Sequence, residues 1–396
     1  MLDTAPLSDL RWNRGYTDPE WVRRFTTAGR ELSPTRRVWR GPGPARPLPA
    51  RPVGLDELDL VETAAGPLRL EPLLAAAHTD ALLVLHRGEV VHEQHRHGTR
   101  PHDPHFNAST AKSYLGLVAA TLAHEGRLDR DRPAAHYVPE LAGTAFGEAR
   151  VQDLLHMGTR VSYAGRPFDK PREALRYQAV VAPSLRPHDY RGPDTIREHL
   201  LTARATGAPG EEFCYENGNV EALAAVLRAV TGTTTSDLLS EVLWSRLGME
   251  EDAYYVVDGD GVEAACGGFS ATARDMARLG EMLRTGGTVD GRQVVPEEVA
   301  TTIVSGVPQG YPQRVRLPAA PPDSPATLSY HDLWWVLNDP YGSFMASGIH
   351  GQRLLVSPGL DLVVVHLASQ VVSPAVPQVP IVPAFLRLGE HLSGRA

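Results

Sequence analysis

The run Ser109-Thr110-Ala111-Lys112-Ser113-Tyr114-Leu115, continuing to Glu125-Gly126, has the pattern of a helix that carries chemistry in its first turn. Leu115, Val118, Ala119 and Leu122 recur at helical spacing, and Gly126 stands where a helix stops. Ser109 and Lys112 are three residues apart, so their side chains share one face about a turn apart. A helix N-terminus favours a developing serine alkoxide. A desolvated lysine beside it can take the serine proton, which an arginine cannot do. The chain has 37 arginines and only two lysines, Lys112 and Lys170, so a lysine at this position invites a chemical reason. On the residues alone, a serine N-cap followed by a solvated lysine is the competing explanation.

Outward from this helix, strands lie towards both ends of the chain and helices between them. Ala81–Gln94 holds two strand-like runs around Arg87-Gly88, a hairpin signal. Arg353–Val356 and Leu362–Leu367 flank a Ser357-Pro358-Gly359 turn in the same way. In the middle, Asn219–Val230 carries Val220, Leu223, Val226 and Leu227 on one face and ends at Gly232. Thr272-x-x-Asp275 is a capping box that opens a helix running to Thr285. Residues 158–195 and 306–328 are polar, Pro/Gly-rich loops of the kind that cover sites. Residues 1–54, rich in Arg, Pro and Gly, are expected to form an extended arm with one short helix near Pro19–Ala28. The expectation is an α/β catalytic domain over 55–396. Its sheet subdomain comes from about 55–108 and 340–396, and its α-rich subdomain from about 109–339.

Composition narrows the function classes. The chain has 396 residues, 42% hydrophobic and 22% charged, which is globular rather than disordered. A net charge of −8 argues against nucleic acid as a partner. Two cysteines, Cys214 and Cys266, are too few for a disulfide framework and are expected to be buried small apolar residues. No apolar run approaches the length of a membrane span. MLDTAPLSDLRWNRG lacks a basic start followed by an apolar core, so the cytoplasm is the expected compartment.

Two further segments carry polar chemistry. Tyr215-Glu216-Asn217 follows Pro209-Gly210 and precedes a helix, so the Tyr215 hydroxyl can serve as a base or relay beside a lysine, with Asn217 to orient lysine or substrate. A half-buried tyrosine packed on the next helix is the commoner use. Ala346-Ser347-Gly348-Ile349-His350-Gly351-Gln352 enters the C-terminal hairpin, and its glycines allow close approach of a ligand. A backbone N–H there can form half of an oxyanion hole with that of Ser109; a bulge in an edge strand is the alternative. His92, His95 and His97 offer a conceivable metal pair, against which solvated histidines at a strand end are favoured, so no metal and no cofactor is expected. Trp334-Trp335 and Tyr341 precede the third segment; one of them is expected to line the cleft, with Trp334 as the candidate, and aromatic core packing is the equal alternative.

Taken together in this order, S-x-x-K, Y-x-N and a Gly-bearing strand resemble the motifs of the serine β-lactamase and penicillin-binding-protein superfamily, on its class C and esterase side. Pro209-Gly210-Glu211-Glu212-Phe213-Cys214-Tyr215-Glu216-Asn217 is similar to that family's P-G-x-x-F-x-Y-x-N, and Gly267-Gly268-Phe269-Ser270 with Arg274–Arg278 resembles its G-G-x-x-x-T-x-x-D-x-A-R stretch. The arm (Trp12, Phe25, Glu31–Thr35) and Ser347–Gln352 are more similar to the 6-aminohexanoate-dimer (nylon-oligomer) hydrolase branch. The resemblance implies an antiparallel sheet with flanking helices plus an α-rich subdomain. It implies Ser109 as acylated nucleophile, Lys112 as its base and Tyr215 as proton relay. The family's Lys-Thr-Gly falls on Ala346-Ser347-Gly348, which gives the Ile349 N–H to the oxyanion hole; an alternative register uses His350-Gly351. The motif lysine is missing, and with it the cation that would hold a substrate carboxylate. The branch also uses a loop tyrosine to assist the amide nitrogen, for which this chain offers Tyr163 or Phe168.

The expected function is a serine hydrolase or acyltransferase acting on a small ester or amide through a Ser109 acyl-enzyme. Water, or an amine or alcohol acceptor, would resolve it. The rival readings are a transacylase of a biosynthetic pathway, a β-lactamase and a non-catalytic binding protein of the same fold. The substrate contacts expected are Asn217, Tyr163, Phe168, Trp334, Gly348 and His350.

Overall fold

The structure, a computed structural model, describes residues 19–63, 66–163, 176–181, 186, 190–305, 315–316, 327–371 and 379–395. The helices that matter here are α1 (Pro19–Thr27), α2 (Thr110–His124), α3 (Asn217–Thr231), α4 (Ala273–Arg284) and α5 (Ile381–Leu392). The strands that matter here are β1 (Thr35–Val38), β2 (Thr79–His86), β3 (Glu89–His95), β4 (His105–Phe106), β5 (Ala253–Val256), β6 (Phe269–Ala271), β7 (Val315–Arg316), β8 (Thr327–His331), β9 (Trp334–Val336), β10 (Phe344–Gly348), β11 (Gln352–Ser357) and β12 (Leu362–Ala368).

Both expected hairpins form, as β2–β3 and β11–β12, and they meet through β12–β2. The resulting eight-stranded antiparallel sheet has the order β7-β8-β9-β10-β11-β12-β2-β3. Every residue of β2, β11 and β12 is buried. The strands are covered on both faces, which is why they read as unbroken apolar runs and not as alternation. A Cβ on Gly280 of α4 would meet Val363 at 2.6 Å, and one on Gly389 of α5 would meet Leu362 at 2.8 Å. Adjacent strand residues point to opposite faces, so these two helices cover opposite sides of the sheet.

Two features depart from the sequence reading. The sheet draws β7, β8 and β9 from residues 315–336, upstream of the expected start at 340. The arm is also more than a surface wrap. Trp21 and Val22 of α1 are buried, β1 pairs with β5 in a second sheet ordered β1-β5-β6-β4, and residues 51–53 hydrogen-bond along β3. That last pairing protects the sheet's outer edge.

Helix α2 was expected to show one apolar face, yet every residue from Thr110 to Leu122 is buried. It runs through the interior beside the sheet, and a helix so placed needs apolar or small residues all round. Gly116 permits the contact: a Cβ there would stand 2.1 Å from the Asp332 carbonyl in the β8–β9 turn. Ser113 Oγ donates to the Leu333 carbonyl at 2.7 Å and fixes the helix against the same turn.

Candidate active site

The segment that carries Ser109 is locked before it turns into the helix. Asn107 is fully buried; its side-chain amide donates to the His105 carbonyl and its N–H to the Phe269 carbonyl, both at 2.8 Å. Ala108 then adopts φ of 50°, a left-handed conformation that a non-glycine residue holds only at a cost of order 1–3 kcal/mol. This reversal sets half-buried Ser109 at the N-cap of α2. Lys112, one turn on, is 1% exposed, and its Nζ donates to Ser109 Oγ at 2.8 Å and to the Cys266 carbonyl at 2.6 Å. Burial disfavours its ammonium, but the acidic groups around it, Cys266, Tyr215 and Glu221, outweigh burial and hold its pKa above the ordinary value.

Tyr215 lies across the amine. Lys112 Nζ is 5.2 Å from the centre of its ring, which stacks on Trp335 at 5.7 Å and leaves the residue 40% exposed. The next residue, Glu216, caps α3 by accepting from the Gly218 N–H, and it also accepts from the Tyr163 hydroxyl at 2.7 Å. Tyr163 therefore braces the Tyr-Glu-Asn segment. Asn217, the first residue of α3, is half-buried, and its side chain makes no hydrogen bond among the described residues. One turn along, Glu221 is wholly buried, accepts the Cys266 N–H at 2.9 Å and accepts a hydrogen bond from the Tyr177 hydroxyl. Burial pushes its carboxyl above the usual range. Glu221 thus holds the Cys266 peptide, whose carbonyl holds Lys112. Cys266 is buried as expected, whereas Cys214 is only partly so.

The third wall is the end of β10. On β10, strand β9 pairs only with Phe344 and Met345, which leaves the outer edge of Ala346–Gly348 without a strand partner among the described residues. A Cβ on Gly348 would stand 3.1 Å from the Ser109 nitrogen, so the strand passes directly against Ser109. Ile349 opens the turn Ile349–Gly351, and the first N–H of such a turn has no acceptor within it. The Ser109 N–H likewise has no protein acceptor among the described residues. His350, expected at the substrate, is instead 2% exposed with its Nδ1 2.6 Å from the Gln370 carbonyl, and it adopts φ of 66° to make the turn.

Trp334 requires a correction. It is fully buried and packs edge-on against Phe344 at 5.4 Å. Strand alternation gives the cleft position to its neighbour Trp335, which meets Tyr215 and Tyr330. Phe168 lies outside the described residues. Glu221 was also missed. A lone acid between Val220 and Ala222, four residues after Asn217 on the same helix face, was the available signal.

His92, His95 and His97 form no metal-type cluster. Among the described residues, the one group of three such side chains with donor atoms within 4.8 Å is His156, His331 and Asp332. The Asp332 carboxylate there is taken by both Nη atoms of Arg130, which suits a closed ion-paired cluster rather than a cation.

The fold and this geometry define a class, and the comparisons with known proteins agree. The chain belongs to the Beta-lactamase family, whose profile matches residues 69–381, and it is a hydrolase of that family. It is 36% identical over 339 residues to the 6-aminohexanoate-dimer hydrolase of Paenarthrobacter ureafaciens, covering 86% of this chain and 83% of that protein. A solved structure from Bacillus anthracis, described as an inferred 6-aminohexanoate-dimer hydrolase, superposes with a TM-score of 0.87 at 31% identity, covering 100% of this chain and 98% of the other. The fold is also shared with EstCE1, a hydrolase with promiscuous acyltransferase activity, at a TM-score of 0.59 and 15% identity, covering 82% and 96%. No helix among the described residues is long and apolar enough to cross a membrane.

Proposed function

We propose that this enzyme cleaves, or transfers the acyl group of, a small ester or amide through an acyl-enzyme on Ser109. The observation that carries this reading is the 2.8 Å contact between Lys112 Nζ and Ser109 Oγ in a buried setting, with the Tyr215 ring beside the amine. Ser109 Oγ attacks the carbonyl carbon, and the new oxyanion lies between the Ser109 and Ile349 N–H groups. An ammonium cannot accept the serine proton. The Lys112–Tyr215 pair must therefore have lost one proton beforehand. The pair takes the serine proton and delivers it through Tyr215 to the leaving oxygen or nitrogen. Water then enters on the same path and gives hydrolysis; an amine or alcohol gives transfer with the same residues. The similarity to 6-aminohexanoate-dimer hydrolases favours a linear amide among the substrates.

The experiment is intact-mass analysis after incubation with a slow nitrophenyl ester. Wild-type protein should gain one acyl group, mapped to Ser109, and Ser109→Ala protein none. Equal labelling of the two proteins would end the acyl-enzyme reading.

A further inference from the structure

The two N–H groups assigned to the oxyanion come from distant parts of the chain, and one buried carboxylate touches the supports of both. Asp80, near the start of β2, is fully buried. Its Oδ2 accepts from the Ser369 hydroxyl and from His105 Nε2, the latter at 3.1 Å, and its Oδ1 accepts from Arg23 Nε at 3.0 Å. Burial opposes the charge, but His105, Ser369 and Arg23 outweigh it and hold the carboxyl below the usual range.

One branch of this network leads to Ser109. The His105 carbonyl accepts the Asn107 side-chain amide at 2.8 Å, the bond that locks the segment entering α2. The other branch leads to Ile349. Ser369 directly follows β12, and its neighbour Gln370 clamps His350 from both sides. The Gln370 N–H donates to the His350 carbonyl at 3.1 Å, and the Gln370 carbonyl accepts from His350 Nδ1 at 2.6 Å. His350 follows Ile349 in the turn that presents the Ile349 N–H. The arm closes the network from outside. Arg23 and Thr26 belong to α1, Thr26 Oγ1 is 2.8 Å from Ser369 Oγ, and Phe25 packs on Phe106 at 4.8 Å between ring centres.

A buried ion network costs about as much in desolvation as it returns, so well-packed apolar residues would serve stability equally. What it supplies is geometry, because charge-assisted hydrogen bonds hold a narrow range of length and angle. An oxyanion hole needs that, since its donors act together only when both stand about 3 Å from the same oxygen. We propose that Asp80 is the positioning residue of the oxyanion hole, setting the Ser109 and Ile349 N–H groups relative to each other with α1 as the outer support. The inference rests on the acyl-enzyme reading of Ser109.

Sulfur substitution at the substrate carbonyl tests it. 4-Nitrophenyl acetate and O-4-nitrophenyl thionoacetate differ only in the atom that enters the oxyanion hole, and sulfur is a larger and poorer acceptor for donors set to oxygen. With the ratio of their alkaline hydrolysis rates divided out, wild-type kcat/KM should favour the oxygen ester by roughly a hundredfold, the scale of one oxyanion-hole donor. In Asp80→Asn the oxygen ester should lose roughly ten- to a hundredfold and the thiono ester much less, so that the preference falls towards one. A smaller folded fraction or a displaced Lys112 slows both esters alike and leaves the ratio where it was. An unchanged ratio in Asp80→Asn would therefore overturn the proposal, and so would a wild-type ratio near one. Should Asp80→Asn not fold, Ser369→Ala decides, because it removes one hydroxyl and cuts only the branch to Ile349. Its ratio should fall in the same direction, and wild-type selectivity in Ser369→Ala rejects the idea. If wild type turns over neither ester, or Ser109→Ala turns over both at the wild-type rate, the acyl-enzyme reading fails and takes this proposal with it. A constant ratio among variants whose turnover depends on Ser109 rejects Asp80 alone.

Discussion

Lys112 has three protons to give as an ammonium, and two are committed, one to the Cys266 carbonyl and one to Ser109 Oγ. The amine therefore has little freedom to rotate, and its remaining N–H direction is fixed by Glu221 at one remove, through the Cys266 backbone. An arginine would preserve the charge but could not release a proton, and its fork would not fit between these two acceptors. Lys112→Arg is thus expected to be nearly as inactive as Lys112→Ala in steady-state ester hydrolysis; an Arg variant retaining most of the activity would reduce Lys112 to an electrostatic partner. Tyr215→Phe keeps the stack on Trp335 but loses the relay. Its kcat should drop on the order of 10²–10⁴-fold, as for other general acid–base groups, with thermal stability little changed. These residues were legible in the sequence because chemistry leaves an unusual residue choice: a lysine where the chain otherwise writes arginine, and a tyrosine at a helix mouth.

At the scale of elements, the helices and hairpins followed their periodicity and punctuation closely. Helix α4 starts where Thr272 accepts the Asp275 N–H, as the capping box indicates, and α3 ends at Gly232 in a left-handed conformation. The second sheet was invisible beforehand. Its strands β4 and β6 have two and three residues, too short for alternation to show, and they are held by partners distant in sequence. The face assignment of Trp334 failed for a related reason. Two adjacent tryptophans each fit either side, and only the register with β8 and β10 decides between them. The proposed mechanism depends, at this scale, on the contact between β10 and the start of α2. A methyl group at Gly348 would stand 2.7 Å from the Asn107 carbonyl and 2.9 Å from the Ala108 Cβ, and rigid backbone blocks relief. The strand must then retreat from Ser109 and take the Ile349 N–H with it. Misplacement of about 1 Å at a reacting centre can cost roughly 10²-fold. Gly348→Ala should lose about that much in kcat/KM, with a stability loss of about 1–3 kcal/mol for overpacking. Kinetics beside denaturant unfolding would check it, and full activity would show that the strand is not held against the nucleophile.

For the whole molecule, the sheet that carries the site is also the body that must stay folded, and His366 joins the two. It lies opposite Arg353 in β11–β12, is fully buried, and bridges β12 to the Gly351 carbonyl through Nδ1 and to Thr79 of β2 through Nε2, each at 2.8 Å. The carbonyl can only accept, so Nδ1 carries the proton and Nε2 accepts from the threonine hydroxyl. This neutral form has no room for a second proton. Burial first, then the Arg353 and His105 charges, lower its pKa to about 4, against the Gly351 carbonyl and Asp80, which raise it. The folded imidazole therefore binds protons less readily than the unfolded one, whose pKa is 6.5. Its contribution to stability is complete above the unfolded value and is lost as pH falls from there towards the folded value. Linkage then gives a loss on the order of 2 kcal/mol between neutral pH and pH about 5. His366→Gln should be less stable than wild type at neutral pH, because the bridge is imperfectly replaced, yet it should lose less on acidification. The measurement is urea unfolding of both proteins at the two pH values, compared as the difference of differences so that groups common to both cancel. If wild type and His366→Gln lose the same stability on acidification, His366 is not the titrating bridge. If the variant loses more, the sign of its coupling to the folded state is reversed.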